Sequence, residues 1–98
     1  MTEKMKFAQL KQMFWDYDDP VTGEDIYYFM LGEKAIPYLE KNQVIARVLT
    51  SFRWYEMVDM FGLLRLKPFL NDEILSHIWQ DNIRSRYEYV RKVLDRVL

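Results

Sequence analysis

The sequence predicts an all-α fold, an irregular compact bundle of about five to six short helices, in a single domain spanning residues 1–98. Three observations predict it. Apolar residues recur at three- and four-residue steps along most of the chain, and no two segments alternate as a strand pair would. β-Branched residues are outnumbered by Leu, Met, Glu, Lys and Arg, which tilts propensity towards helix. Only three Gly and three Pro occur, too few for elaborate loops. With half of its 98 residues hydrophobic, the chain can bury a core without metal or disulfide staples, and intrinsic disorder is excluded.

Thr2 is suited to cap a first helix over about 3–14, with Phe7, Leu10 and Phe14 along one side. Asp16-Tyr17-Asp18-Asp19-Pro20 should end it, since Asp competes for backbone hydrogen bonds and Pro20 drives Asp19 out of the helical region. Gly23 closes that loop. A short helix over 24–31 follows, with acidic residues in its first turn, Ile26, Phe29 and Met30 on its apolar side, and Gly32 as its stop. Residues 35–39 form a short extended or helical link around Pro37.

The densest apolar stretch, 44–62, reads as helix, break, helix. Val44, Ile45, Val48, Leu49 and Phe52 fall at helical spacing. Thr50 and Ser51 interrupt the helix and cap the next, where Trp54, Val58 and Phe61 form the apolar stripe and Gly62 the stop. One bent helix from Asn42 to Phe61 is the alternative. Residues 63–67 add a turn or two before Pro68. Asn71 or Asp72 caps a short helix holding Ile74, Leu75, Ile78 and Trp79, which Asp81-Asn82 breaks. The last helix, about 83–97, presents Ile83, Tyr87, Val90, Leu94 and Val97 at alternating steps of four and three.

The chain carries no Cys, which removes disulfides, thiolate metal sites and cysteine nucleophiles. With no signal-peptide core or membrane-length apolar run, a soluble, cytoplasmic protein without membrane contact is expected. Net charge is −1, unevenly spread: residues 1–40 hold four Lys against eight Asp and Glu, and residues 41–98 hold ten Lys and Arg against seven. The basic half is too weak to demand nucleic acid, which normally concentrates cations on one face. The asymmetry suits a complementary protein partner or self-association.

The acidic loop, Asp16, Asp18, Asp19, Glu24 and Asp25, is the best place for a divalent cation, and a Mg²⁺ enzyme built on it is the least favoured function. A calcium loop registered on Asp16 puts Pro20, Val21 and Tyr27 at its fifth, sixth and twelfth positions, so that motif fails and turn formation explains the acids. His77, the only histidine, could form a trio with Glu73 and Asp81, yet no nucleophile elbow or metalloprotease motif accompanies it. No glycine-rich phosphate loop exists. No catalytic residue, metal or cofactor is therefore expected. Arg84, Arg86, Arg91, Lys92 and Arg96 of the last helix are largely neutralised by i,i+4 pairing. A helix-turn-helix within 44–70, with 57–63 at its turn, would present only Arg65 and Lys67 of residues 63–70 to DNA. Trp15, Tyr17, Tyr27, Tyr28, Tyr38, Tyr55 and Tyr89 are a surplus that cannot all turn inward, and exposed aromatics beside Arg make partner-binding patches.

Phe14-Trp15-Asp16-Tyr17-Asp18, then Arg47-Val48-Leu49, Trp54 and Phe61-Gly62, resemble a family of small bacterial proteins of unknown function. That family has an FWD-x-D opening, an R-V-L helix, a second helix with Trp or Leu, and a Y/F-G stop. The chain departs from it in the longer acidic insertion at 18–23. The resemblance implies an antitoxin-like or accessory partner of a nucleotidyltransferase-type toxin and carries no catalytic residue. A non-enzymatic protein-binding module is the function expected, with a DNA-binding regulator as the alternative. Its binding residues are expected to be Trp15, Asp16, Tyr17, Asp18 and Tyr28. Arg47 and Arg53 are structural polar positions expected to anchor the acidic loop, and 44–62 is read as scaffold.

Overall fold

The structure, a computed structural model, describes residues 3–13, 22–37 and 39–98. Those residues form seven α-helices and no strand, so the protein is all-α. The backbone groups into two compact units, Met1–Lys41 and Asn42–Leu98.

The first unit holds α1 (Glu3–Met13) and α2 (Gly23–Met30). Thr22 opens α2 with a reciprocal capping box: its Oγ1 accepts from the Asp25 N–H at 3.0 Å, and Asp25 Oδ2 accepts from the Thr22 N–H at 3.1 Å. Gly23 is the first residue of α2 and not a loop closure. It lies so close to α1 that a Cβ there would sit 1.6 Å from the Phe7 carbonyl oxygen, an approach only glycine allows. The Phe7 ring meets Tyr27 edge-on at 5.5 Å, Tyr27 meets Tyr28 at 5.2 Å, and Lys6 Nζ lies 4.2 Å from the Tyr27 ring centre. Leu10, Ile26, Phe29 and Met30 are buried as their spacing predicts, and Tyr27 joins them. Gly32 follows the helix end as expected. In the expected link around Pro37, the Leu39 N–H reaches the Ile36 carbonyl at 3.0 Å. Phe14 lies outside the described residues.

The second unit is built from α3 (Lys41–Ser51, its first residue belonging to the first unit), α4 (Trp54–Phe61), α5 (Leu63–Phe69), α6 (Asp72–Ser76) and α7 (Asp81–Val97). Residues 44–62 are two helices, as expected, but the break falls at Phe52–Arg53. Thr50 and Ser51 end α3 from within: both hydroxyls donate back to the Arg47 carbonyl, at 2.9 and 2.7 Å. They do not cap α4. Glu56 does, its Oε1 accepting from the Arg53 N–H at 2.9 Å. The buried face of α4 is Met57, Met60 and Phe61, while Trp54 and Val58 are only half-buried. Gly62 joins α4 to α5 at φ 79° and ψ 158°, a region essentially restricted to glycine.

Three boundaries differ from expectation in the remaining chain. α5 runs through Pro68 for one residue, because the helix ends there anyway, the Leu70 N–H turning back to Lys67 at 3.2 Å. α6 stops at Ser76, capped at its start by Asn71, whose Oδ1 accepts from the Ile74 N–H at 2.9 Å. Asp81 begins α7 where it was expected to break a helix: a carboxylate in the first turn suits the helix dipole, and Asp81 pairs with Arg84. Arg84 Nη1 also holds the preceding link by donating to the Ile78 carbonyl at 3.1 Å.

Ile45, Val48, Leu49, Met57, Leu66 and Ile78 are at most 1% exposed, each burial contributing about 1.5–3 kcal/mol. Phe61 and Phe69 meet edge-on at 5.3 Å. On α7, Tyr87 and Leu94 are buried, Ile83 and Val90 half-buried, and Val97 is 67% exposed. Of the i,i+4 pairing expected along α7, Arg84 and Glu88 meet at 3.8 Å. Arg91 turns instead to Asp72, and Asp95 lies 4.0 Å from Lys67, so these charges tie α7 to α6 and α5. Exposed pairs of this kind are worth about 0–1 kcal/mol each.

Candidate functional site

A groove of about 700 Å³ opens where the α3–α4 break faces the first half of α7. The break contributes Phe52, Arg53 and Trp54; α7 contributes Ile83, Arg86, Tyr89 and Val90. Its position follows from the local chemistry at the end of α3. The Thr50 and Ser51 hydroxyls turn inward to a carbonyl, the chain bends, and Arg53 and Trp54 project at the edge. Tyr87 makes the floor. Its hydroxyl donates to the Leu49 carbonyl at 2.6 Å, supplying a donor to one of the orphan carbonyls of the α3 terminus, and its ring meets Trp54 edge-on at 6.3 Å. Burial pushes the Tyr87 hydroxyl up to about 12, so it stays a donor.

A smaller groove of about 380 Å³ lies on the other side of Thr50, lined by Gln43, Ala46, Arg47, His77, Trp79 and Gln80. Trp79 is 79% exposed, and the Gln80 Oε1 is buried without a hydrogen bond. Such an acceptor takes its donor from solvent or a bound molecule. Neither groove is lined by a carboxylate; their charged residues are Arg53 and Arg86 in one and Arg47, with the titratable His77, in the other.

Of the residues expected to bind a partner, Trp15, Asp16, Tyr17 and Asp18 lie outside the described residues. Tyr28 is half-buried on α2, against Tyr27 and, at 6.4 Å, Phe7. Arg47 is half-buried on α3 and Arg53 is exposed at the break. The acidic loop they were expected to anchor is mostly outside the described residues. Of its described members, Glu24 is exposed in the first turn of α2 and Asp25 is committed to the Thr22 cap and to Lys34. The Lys34 hydrogen bond, first, and then the Thr22 backbone bond hold the Asp25 carboxyl below the ordinary range.

The His77 trio does not assemble. His77 ends α6 in solvent and Asp81 is held by Arg84; no cluster of three or more His, Cys, Asp or Glu among the described residues could hold a metal ion. α4 and α5 are separated by Gly62 alone, shorter than the three- or four-residue turn of a helix-turn-helix, and α5 exposes Leu63 and Leu64 beside Arg65. No helix among the described residues is long and apolar enough to cross a membrane.

The groove itself escapes sequence reading, although Arg53, Arg86 and Tyr89 each stand out singly. The signal that could have found it is a second stripe on α7, Ile83, Arg86, Val90, Val93 and Val97, at alternating steps of three and four beside the core stripe. No protein-family model matches the chain, and no curated protein or solved structure matches it significantly.

Proposed function

We propose that the protein is a non-enzymatic protein-binding module whose partner docks on the groove between the α3–α4 break and α7. The observation that carries this reading is composition gathered in one place: Trp54, Tyr87 and Tyr89 with Arg53 and Arg86 around an apolar floor. Trp, Tyr and Arg are the residues that dominate binding energy at protein interfaces. The lining also suits binding better than catalysis. Thr50 and Ser51 already spend their hydroxyl protons on a carbonyl, and arginine does not exchange protons near neutrality.

An antitoxin-like or accessory subunit of a nucleotidyltransferase-type toxin is the narrower proposal. It rests on the resemblance of Phe14–Asp18, Arg47–Leu49, Trp54 and Phe61-Gly62 alone. Co-expression with the product of the adjacent gene, followed by pull-down, tests both levels. Wild type should retain that product, and Arg86→Glu with Tyr89→Ala should lose it, since both side chains are exposed and their replacement leaves the core intact. A wild-type monomer that retains nothing, or a complex indifferent to the double substitution, would contradict the reading.

A further inference from the structure

Taking the groove as a protein-binding face, we infer that its occupant is an amphipathic helix with acidic flanks, laid along the outer stripe of α7. Three features on the same side of the second unit lead there.

The first is shape. Ile83 and Val90 line the groove, and the stripe they belong to continues past it to Val93, 38% exposed, and Val97, 67% exposed. From Ile83 to Val97 this track runs about 21 Å at the α-helical rise per residue. A small molecule filling the groove would leave Val93 and Val97 uncovered. Alternating three- and four-residue steps on a straight helix are the pattern that a second helix packs against, side chain into gap. A peptide added as a β-strand would want an open sheet edge, and no strand occurs among the described residues.

The second is sign. Arg86 sits in the stripe, Arg96 is exposed beside it, and Arg53 faces Arg86 across the groove, while no carboxylate lines it. α3 ends and α4 begins at this edge, so the partial negative charge of one terminus is offset by the partial positive charge of the other. The arginines therefore set the sign. A second copy of this chain pairing through the same stripe would bring Arg86 and Arg96 against their own likeness, a repulsion that an acidic helix turns into attraction.

The third is the distribution of the remaining cations. Arg84 and Arg91 are engaged with Asp81, Glu88 and Asp72 on the other side of α7. Arg53 and Arg86 form no ion pair among the described residues. Two arginines around a largely apolar groove suit carboxylates at the rim of a helix; a nucleic-acid strand would want a longer run of phosphate contacts.

Selection of a displayed library of random helix-forming peptides on the intact chain, with Tyr89→Ala as the counter-selection, tests the inference. Enriched peptides should carry apolar residues at i, i+3 or i+4 and i+7 with a net negative charge. Their affinity should fall at least about tenfold on Arg53→Glu with Arg86→Glu, which should instead admit basic peptides of the same spacing. Arg53→Gln with Arg86→Gln, a milder pair, should weaken the acidic peptides without admitting the basic ones. Groove-dependent peptides that are neutral, basic or without helical spacing would overturn the acidic helix and leave the groove a protein-binding face. No peptide dependent on Tyr89 would remove both readings. A single-stranded oligonucleotide bound in their place and lost with the arginines, or a dimer of this chain abolished by Val93→Glu, would also overturn the inference.

Discussion

Tyr87 is the side chain that ties α7 to the α3–α4 break. It reaches from α7 to the end of α3, 38 residues away in sequence, and occupies a carbonyl that the broken helix leaves open. Tyr87→Phe keeps the ring and removes only that bond. Urea unfolding should give a loss of about 1–2 kcal/mol, the cost of a buried hydrogen bond together with the stranded Leu49 carbonyl. The hydroxyl also fixes an alkaline limit. Its pKa is raised by burial from 10.0 to about 12, so its contribution is whole below pH 10 and is lost as pH climbs towards 12. Melting temperatures of wild type and Tyr87→Phe should therefore converge across that interval, whereas a constant gap would place the hydroxyl in water.

At the scale of elements, the helix ends are where side chains decide the outcome. Thr22→Ala should cost α2 about 1 kcal/mol in unfolding experiments, since it removes half of a reciprocal cap. Asp25, the other half, is held below its ordinary pKa chiefly by Lys34. Its contribution is present above about pH 4 and disappears as acid protonates it, so Lys34→Ala should matter less to unfolding at low pH than at neutrality.

The element sequence of the described residues is largely legible from apolar spacing. Gly62 ends α4, Asn71 caps α6 and Ile26, Phe29 and Met30 face inward as their positions imply. The errors are local, and two of them share a cause: a polar side chain at a helix end can bond in either direction. Thr50 and Ser51 turn back to Arg47 when they could have capped forward, which moves the break by two residues. Asp81 starts a helix when it could have stopped one. The candidate groove is a different matter. Arg53, Trp54, Arg86 and Tyr89 are each conspicuous in the sequence, yet their convergence requires α7 to lie against the α3–α4 break, and the Tyr87–Leu49 bond that marks this has no local signal. Val48, Leu49 and Met57 are buried as a scaffold requires, and residues 52–54 line the groove.

At the scale of the whole molecule, charge and aromatic exposure are unevenly distributed. The acidic excess belongs to residues 1–40 and the basic excess to 41–98, where Tyr55, Trp79 and Tyr89 are all more than half exposed. Tyr55 lies outside both grooves, which makes it the natural control for a claim about Tyr89. A photoreactive benzoylphenylalanine introduced at either position, in the intact chain and in the cell of origin, compares the two directly. A partner on the groove predicts a discrete protein adduct from position 89, absent from position 55 and abolished by Arg86→Glu. Equal adducts from both positions, or an adduct from position 55 alone, would contradict it.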